Sequence, residues 1–179
     1  MEKLRASLSD PKFSADRENL IEHLFIGEVL RCLWLEGIST AEALRAEVDS
    51  GGYDLVIDCR GVIRHIQLKS SHVSAKTARQ SINIRLADKP SGCVVWVIFN
   101  DQLRLSRFRW YGGKPGQPMR DIQSHQIGKH TKGNRFGIKT ERPNIRVLRK
   151  NEFEEVGSVA ELVKRLFGDF NTPLAAKAW

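Results

Sequence analysis

The spacing of apolar positions changes along the chain, and each change predicts a different element. Between Ser14 and Gly37 the apolar residues Leu20, Ile21, Leu24, Val29, Leu33 and Leu35 fall near helical spacing. Ser14 is placed to cap that helix, Asp16 and Glu18 occupy its first turn, and Gly37 supplies a stop. Ala41 to Val48 fits a strand or a short helical turn, and Asp49-Ser50-Gly51-Gly52 is a turn. The period then becomes two. Tyr53 to Cys59 alternates, Arg60-Gly61 makes a tight hairpin turn, and Val62 to Lys69 returns. From Ser70 to Lys89 the pattern has two readings: Ser81 to Leu86 alternates like a strand, while Ile82 to Lys89 fits a helix laid over a sheet. After the break at Pro90-Ser91-Gly92, Cys93 to Phe99 is apolar throughout, as expected of a central strand covered on both faces.

Leu103 to Tyr111 alternates again, Gly112 to Gln126 reads as a loop, and Ile145 to Leu148 as a strand. Ser158 to Phe167 reads as a last helix, with Ser158 as cap and Glu161 at the third helical position. Gly168 to Trp179 reads as a loose tail. The order predicts an α/β fold with a short, mixed central sheet flanked by helices. The length suits one domain: a core at 1–100, a basic β/loop extension at 101–157, and a C-terminal helix and tail at 158–179.

Composition narrows the class. Hydrophobic residues make up 41% of 179, enough for a core and unlike a disordered chain. No apolar run approaches the roughly 18 residues of a membrane span. Met1 to Asp10 carries mixed charge and no apolar segment, so no secretory leader and a cytoplasmic location are expected. Cys32, Cys59 and Cys93 are isolated and odd in number, which predicts reduced thiols rather than a disulfide or zinc framework.

Charge changes the picture further. The net charge is +8, but residues 1–100 hold 13 basic and 13 acidic residues. Residues 101–150 hold 13 basic residues against Asp101, Asp121 and Glu141, for +10, and residues 151–179 net −2. Charge localised in this way suits a polyanion partner.

Chemistry concentrates in Gly51-Gly52-Tyr53-Asp54 and Ile66-Gln67-Leu68-Lys69. Alternation puts Gln67 and Lys69 on one face of their strand. Pairing through Arg60-Gly61 sets Asp54 opposite Gln67, so a carboxylate, an amide and a lysine converge at the open end of a ribbon. Phosphodiester hydrolysis needs such a set: oxygen ligands for a hard cation, and a positive group for the crowded anionic transition state. Asp54 and the Gln67 oxygen are candidate ligands, the Leu68 carbonyl a further one, and Lys69 a candidate to orient water.

This Asp, a dozen residues, then Gln67-x-Lys69, after a helix bearing Glu28, resembles the PD-(D/E)xK nuclease superfamily over residues 15–100. That superfamily includes Mrr-type restriction enzymes and Holliday-junction resolvases. The resemblance implies a restriction-endonuclease-like core (helix, three strands, helix, strand) and a metal-dependent DNA endonuclease. It implies Asp54, Gln67, Lys69 and Glu28 as catalytic residues, and Mg2+ or Mn2+ held by Asp54, Gln67 and Glu28. Glu22 competes with Glu28 on the same helix. Tyr53 stands where the family name has Pro, and Gln67 stands for the acidic residue, which removes one negative charge. A weak or inactive nucleic-acid-binding module of a repair or defence assembly is the alternative. A homodimer is the simplest way for a small single-site domain to cut both strands.

The remaining polar residues supply contacts. Ser70, Ser71, His72, Ser74, Lys76, Thr77, Arg79 and Gln80 follow the lysine and suit an approach to the backbone, or an ordinary polar loop. Lys129, His130, Lys132, Arg135, Lys139, Arg142 and Arg146, with Arg149 and Lys150, are candidate phosphate contacts to DNA. Trp110, Tyr111 and Phe136 could stack on bases, although core positions are the commoner use of such residues. His125 and His130 lack partners at zinc spacing, and GGKPGQP lacks the ending of a P-loop.

Overall fold

The computed structural model describes residues 10–170, except Asp49, Asn134 and the side chain of Pro11. The expectations for Met1–Ser9, Asp49, Asn134 and 171–179 lie outside the described residues. Helix α1 spans Ser14–Leu35 and buries Ile21, Phe25, Val29 and Leu33. Spacing of four keeps these side chains on one stripe. The expected Ser14 cap is not made. The helix continues out of a 3-10 turn at Pro11–Phe13, its cap position is Phe13, and no side chain caps it. Its end follows expectation: Gly37, at φ 80°, donates to the Trp34 carbonyl and Ile38 N–H donates to that of Leu33. Glycine enters this left-handed region without a Cβ clash, and the two bonds satisfy carbonyls the helix would otherwise orphan.

The strands are β1 (Glu42–Arg45), β2 (Leu55–Cys59), β3 (Val62–His72), β4 (Arg79–Asn83), β5 (Gly92–Phe99), β6 (Leu105–Gly112), β7 (Ile127–Lys129), β8 (Glu141–Arg149) and β9 (Glu154–Val156). Helix α2 (Val159–Phe167) follows. One sheet has the order β1-β2-β3-β5-β6-β9 and a second has β4-β8-β7. Among the described residues β3 and β5 are the one parallel pair, so the main sheet is mixed. The β2–β3 hairpin has the register expected from its turn, Leu55 opposite Ile66 and Cys59 opposite Val62. Arg60 (φ 52°) and Gly61 (φ 77°) both adopt positive φ, the backbone whose twist matches paired strands.

Of the two readings for the crossover from β3 to β5, the structure takes the strand and not the helix that the resemblance implies. Residues 79–83 form β4 and residues 84–88 only a 3-10 turn, capped by Asn83 Oδ1. Too few residues precede Pro90 for a helix long enough to cover a sheet face. Helices therefore flank one face of the main sheet, and the three-stranded sheet covers the other. Both faces meet at β5, which is buried throughout. Cys93, Val95, Val97 and Phe99 pack with the buried stripes of α1 and α2. Val94, Trp96 and Ile98 pack with Ile82, Leu86, Leu148 and Phe153. Both sheets draw strands from either side of residue 100.

Ser158 Oγ accepts from Glu161 N–H at 3.1 Å, as expected, and the Glu161 carboxylate accepts from Gly157 N–H at 2.8 Å. Arg64, fully buried, donates to the Leu166, Arg165 and Gly113 carbonyls and lies 5.2 Å over the Trp110 ring. Its charge faces the negative end of α2, and burial lowers its pKa. Trp110 and Tyr111 are core residues, whereas Phe136 is exposed. Cys59 and Cys93 are buried free thiols and Cys32 is half-buried; desolvation pushes Cys93 up to about 12. Among the described residues no helix is long and apolar enough to cross a membrane.

Candidate functional site

β3 is longer than its hairpin partner. β2 begins at Leu55, so β3 from Gln67 onward has β5 on one side and an open edge on the other. At that edge lies a cleft of about 340 Å³ lined by Glu18, Ile21, Glu22, Asp54, Leu68, Lys69, Ser70 and Gln80. Three elements meet here: α1 from one face of the sheet, the hairpin itself, and β4 from the second sheet.

Asp54 is fixed on every side. Its N–H donates to the Ile66 carbonyl and its carbonyl accepts from Ala46 N–H, both at 2.9 Å. Its Oδ2 accepts from Leu68 N–H at 2.6 Å. A carboxylate accepting a backbone donor is held in one orientation, with the short distance usual for charged hydrogen bonds. Lys69 lies one residue further along and faces the same cleft. The structure thus brings Asp54 and Lys69 together.

Gln67 and Glu28 are placed elsewhere. Gln67 is 4% exposed and does not line the cleft; its Oε1 accepts from Asn83 N–H at 3.1 Å, tying β3 to the end of β4. Glu28 lines a different concavity, with Leu20, Leu24 and Leu103, and pairs with Arg31 at 2.7 Å. The reason is helical geometry. Six residues advance about 240° around the axis, so Glu22 and Glu28 cannot share a face. Glu18 and Glu22, four apart, do share one and both line the cleft, so of Glu22 and Glu28 it is Glu22 that reaches it. Arg45 of β1 pairs with Glu22 and also donates to Asn19 Oδ1.

Among the described residues no three His, Cys, Asp or Glu side chains gather at coordinating geometry. Mg2+ does not require such a cage, since it keeps several waters and takes one or two carboxylates with substrate phosphates. Asp54 and Glu22, facing one cleft, fit that requirement.

The sequence matches no family model and no curated protein. Among solved structures it is similar to a bacterial homing endonuclease, I-Ssp6803I. The TM-score is 0.30 and the identity 20%, over 73% of this chain and 86% of that one. At that TM-score the likeness assigns nothing to the site.

The candidate phosphate contacts gather on one hairpin. Lys129 closes β7, Arg142 opens β8, and His130, Lys132, Arg135 and Lys139 are exposed between them. The Arg135 guanidinium lies 4.8 Å over the exposed Phe136 ring. Arg146, half-buried, donates to the Gln123 and Pro143 carbonyls. Register places this hairpin away from the cleft. Gln80, in the cleft, pairs with Leu148, and Arg142 lies six residues back along β8, roughly 20 Å. The cations near Gln80 are Arg79, Arg149 and Lys150, neighbours of the β4–β8 pairing. Sequence reasoning missed Glu18 as a cleft residue. Its signal was the spacing of four from Glu22. His125, which lacks partners at zinc spacing in the sequence, has its Nε2 2.8 Å from Glu152 Oε1.

Proposed function

We propose that the chain is a metal-dependent endonuclease that hydrolyses phosphodiester bonds in DNA. The observation that carries this reading is the placement of Asp54 and Lys69 side by side in a cleft that Glu18 and Glu22 also line. Asp54 and Glu22 would hold Mg2+ or Mn2+, which when bound neutralises charge on the scissile phosphate. Lys69 faces the same space with a mobile ammonium donor. It orients the attacking water and stabilises charge developing on the equatorial oxygens. The backbone bond from Leu68 keeps Asp54 fixed while this happens. Gln67 acts as a positioning residue, because its amide oxygen holds Asn83 beneath the strand that carries Lys69.

A binding module without turnover is the second reading. It is favoured by the engagement of Gln67 Oε1 with Asn83, which withdraws one oxygen from the cleft. Incubating the protein with plasmid DNA and Mg2+ or Mn2+, beside Asp54→Ala and Lys69→Ala, separates the two. The endonuclease reading expects cleavage by the wild type and a loss of about a hundredfold or more in each variant. Equal DNA binding by all three with no cleavage overturns it.

A further inference from the structure

Beside the cleft, past the end of Lys69, a smaller hollow of about 80 Å³ is lined by Ser71, Thr77, Trp96, Arg107, Arg109 and Lys150 among its residues. A site for one water needs only about 10–15 Å³ by the same measure, so a tetrahedral oxyanion fits. Arg109 is 5% exposed. Its Nη2 meets Glu155 Oε1 at 3.0 Å, its guanidinium lies 5.1 Å over the Trp96 ring, and among the described residues its buried Nε has no hydrogen-bond partner. Buried donors in native proteins are rarely left unpaired, and this one belongs to a residue that lines a cationic hollow. Arg107 and Lys150 are exposed and, among the described residues, neither forms an ion pair. Two carboxylates stand at the rim: Glu155 on Arg109, and Asp101, 3.2 Å from His72 Nε2. Three cations against these leave the hollow itself basic. Trp96 Nε1 donates to Ser71 Oγ at 3.0 Å, which leaves the Ser71 hydroxyl proton to donate.

The hollow and the cleft are lined by consecutive residues of β3. Ser70 lines the cleft and Ser71 the hollow. Lys69 and Ser71 are two apart on β3, hence on one face and about 7 Å from each other, close to one nucleotide step. Lys150 also lines a third concavity of about 550 Å³ with Arg79 and Arg149.

We propose that this hollow seats a backbone phosphate of the nucleic-acid strand, next to the phosphodiester held at Asp54 and Lys69. The proposal rests on the nuclease reading for what lies in the cleft. Arg109, the Ser71 hydroxyl and the ends of Arg107 and Lys150 supply the donors, an arrangement in which charged groups position the backbone without reading sequence.

The test is duplex DNA affinity as a function of salt without divalent cation, so that nothing is cut, for the full chain and for the Arg107→Ala/Lys150→Ala double variant. Both side chains are exposed, so the fold is kept, and thermal unfolding checks it. The expected result is about tenfold weaker binding and a salt slope shallower by about one, the loss of one phosphate contact. Wild-type affinity and slope in the double variant overturn the proposal. So does a stabilisation by inorganic phosphate that the double variant loses while its duplex affinity is unchanged, which would assign the hollow to a free anion. Asp54- and Lys69-dependent cleavage is scored separately. Cleavage with an unchanged slope defeats the phosphate seat alone, and a reduced slope without cleavage defeats the nuclease reading alone.

Discussion

The Asp54 carboxylate accepts a 2.6 Å hydrogen bond from Leu68 N–H, which fastens the acid of one strand to the strand that carries Lys69. Asp54→Ala leaves that half-buried donor without its acceptor and should lower stability by about 1–3 kcal/mol in urea unfolding. Asp54→Asn keeps an oxygen there and should lose less, yet should cut no better than the alanine variant because the charge is gone. Cleavage retained in Asp54→Asn would remove the carboxylate from the chemistry.

Gln67 separates a positioning role from a ligand role. Its amide oxygen accepts from Asn83 N–H in a buried setting, so Gln67→Ala should destabilise the protein by about 1–3 kcal/mol. The loss should appear equally with and without Mg2+. A variant of unchanged stability whose Mg2+ requirement rises steeply would instead make Gln67 a ligand.

The helix carboxylates give opposite expectations. Glu22→Gln should raise the Mg2+ concentration needed for half-maximal cleavage, because Glu22 lines the cleft. Glu28→Gln should leave that concentration and the unfolding midpoint where they are, since Glu28 lies outside the cleft and pairs with Arg31 on the surface. A reversal of the two outcomes would restore the assignment suggested by sequence resemblance.

His65 supplies a pH dependence. Its pKa lies below the ordinary 6.5, from burial first and the charge of Lys89 second, and among the described residues its buried Nδ1 has no hydrogen-bond partner. The fold therefore favours the neutral ring. The unfolded chain takes up the proton first as pH falls, so stability is intact above about 6.5 and declines as pH drops toward the folded pKa. His65→Phe keeps a ring against Tyr53, 5.0 Å away in the native contact, and should flatten the midpoint between neutral pH and about pH 5. An unchanged slope in that variant would assign the acid sensitivity to another group.

Local rules made much of this fold legible in the sequence. The Arg60-Gly61 turn set a hairpin register that placed Asp54 opposite Gln67, because strand pairing through a two-residue turn admits one register. The unbroken apolar run at 93–99 identified β5 as doubly covered, because each face needs its own apolar set. Gly37 and Ser158 marked helix ends through orphaned backbone groups. Asp54 and Lys69 followed from the same local reasoning.

Long-range packing decided the rest. Which glutamate of α1 reaches the cleft depends on how the helix is rotated against the sheet, set by the Ile21–Leu33 stripe rather than by any motif. The direction of the Gln67 amide depends on β4, whose partner β8 lies more than sixty residues away in sequence and leaves no periodic signal near residue 67. The basic residues were countable in the sequence, but their distance from the cleft was not. Strand register carried Lys129 to Arg142 to the far end of β8 and brought Arg107, Arg109 and Lys150 around one hollow. Composition fixes how much charge a chain holds, whereas only pairing between distant strands fixes where that charge stands.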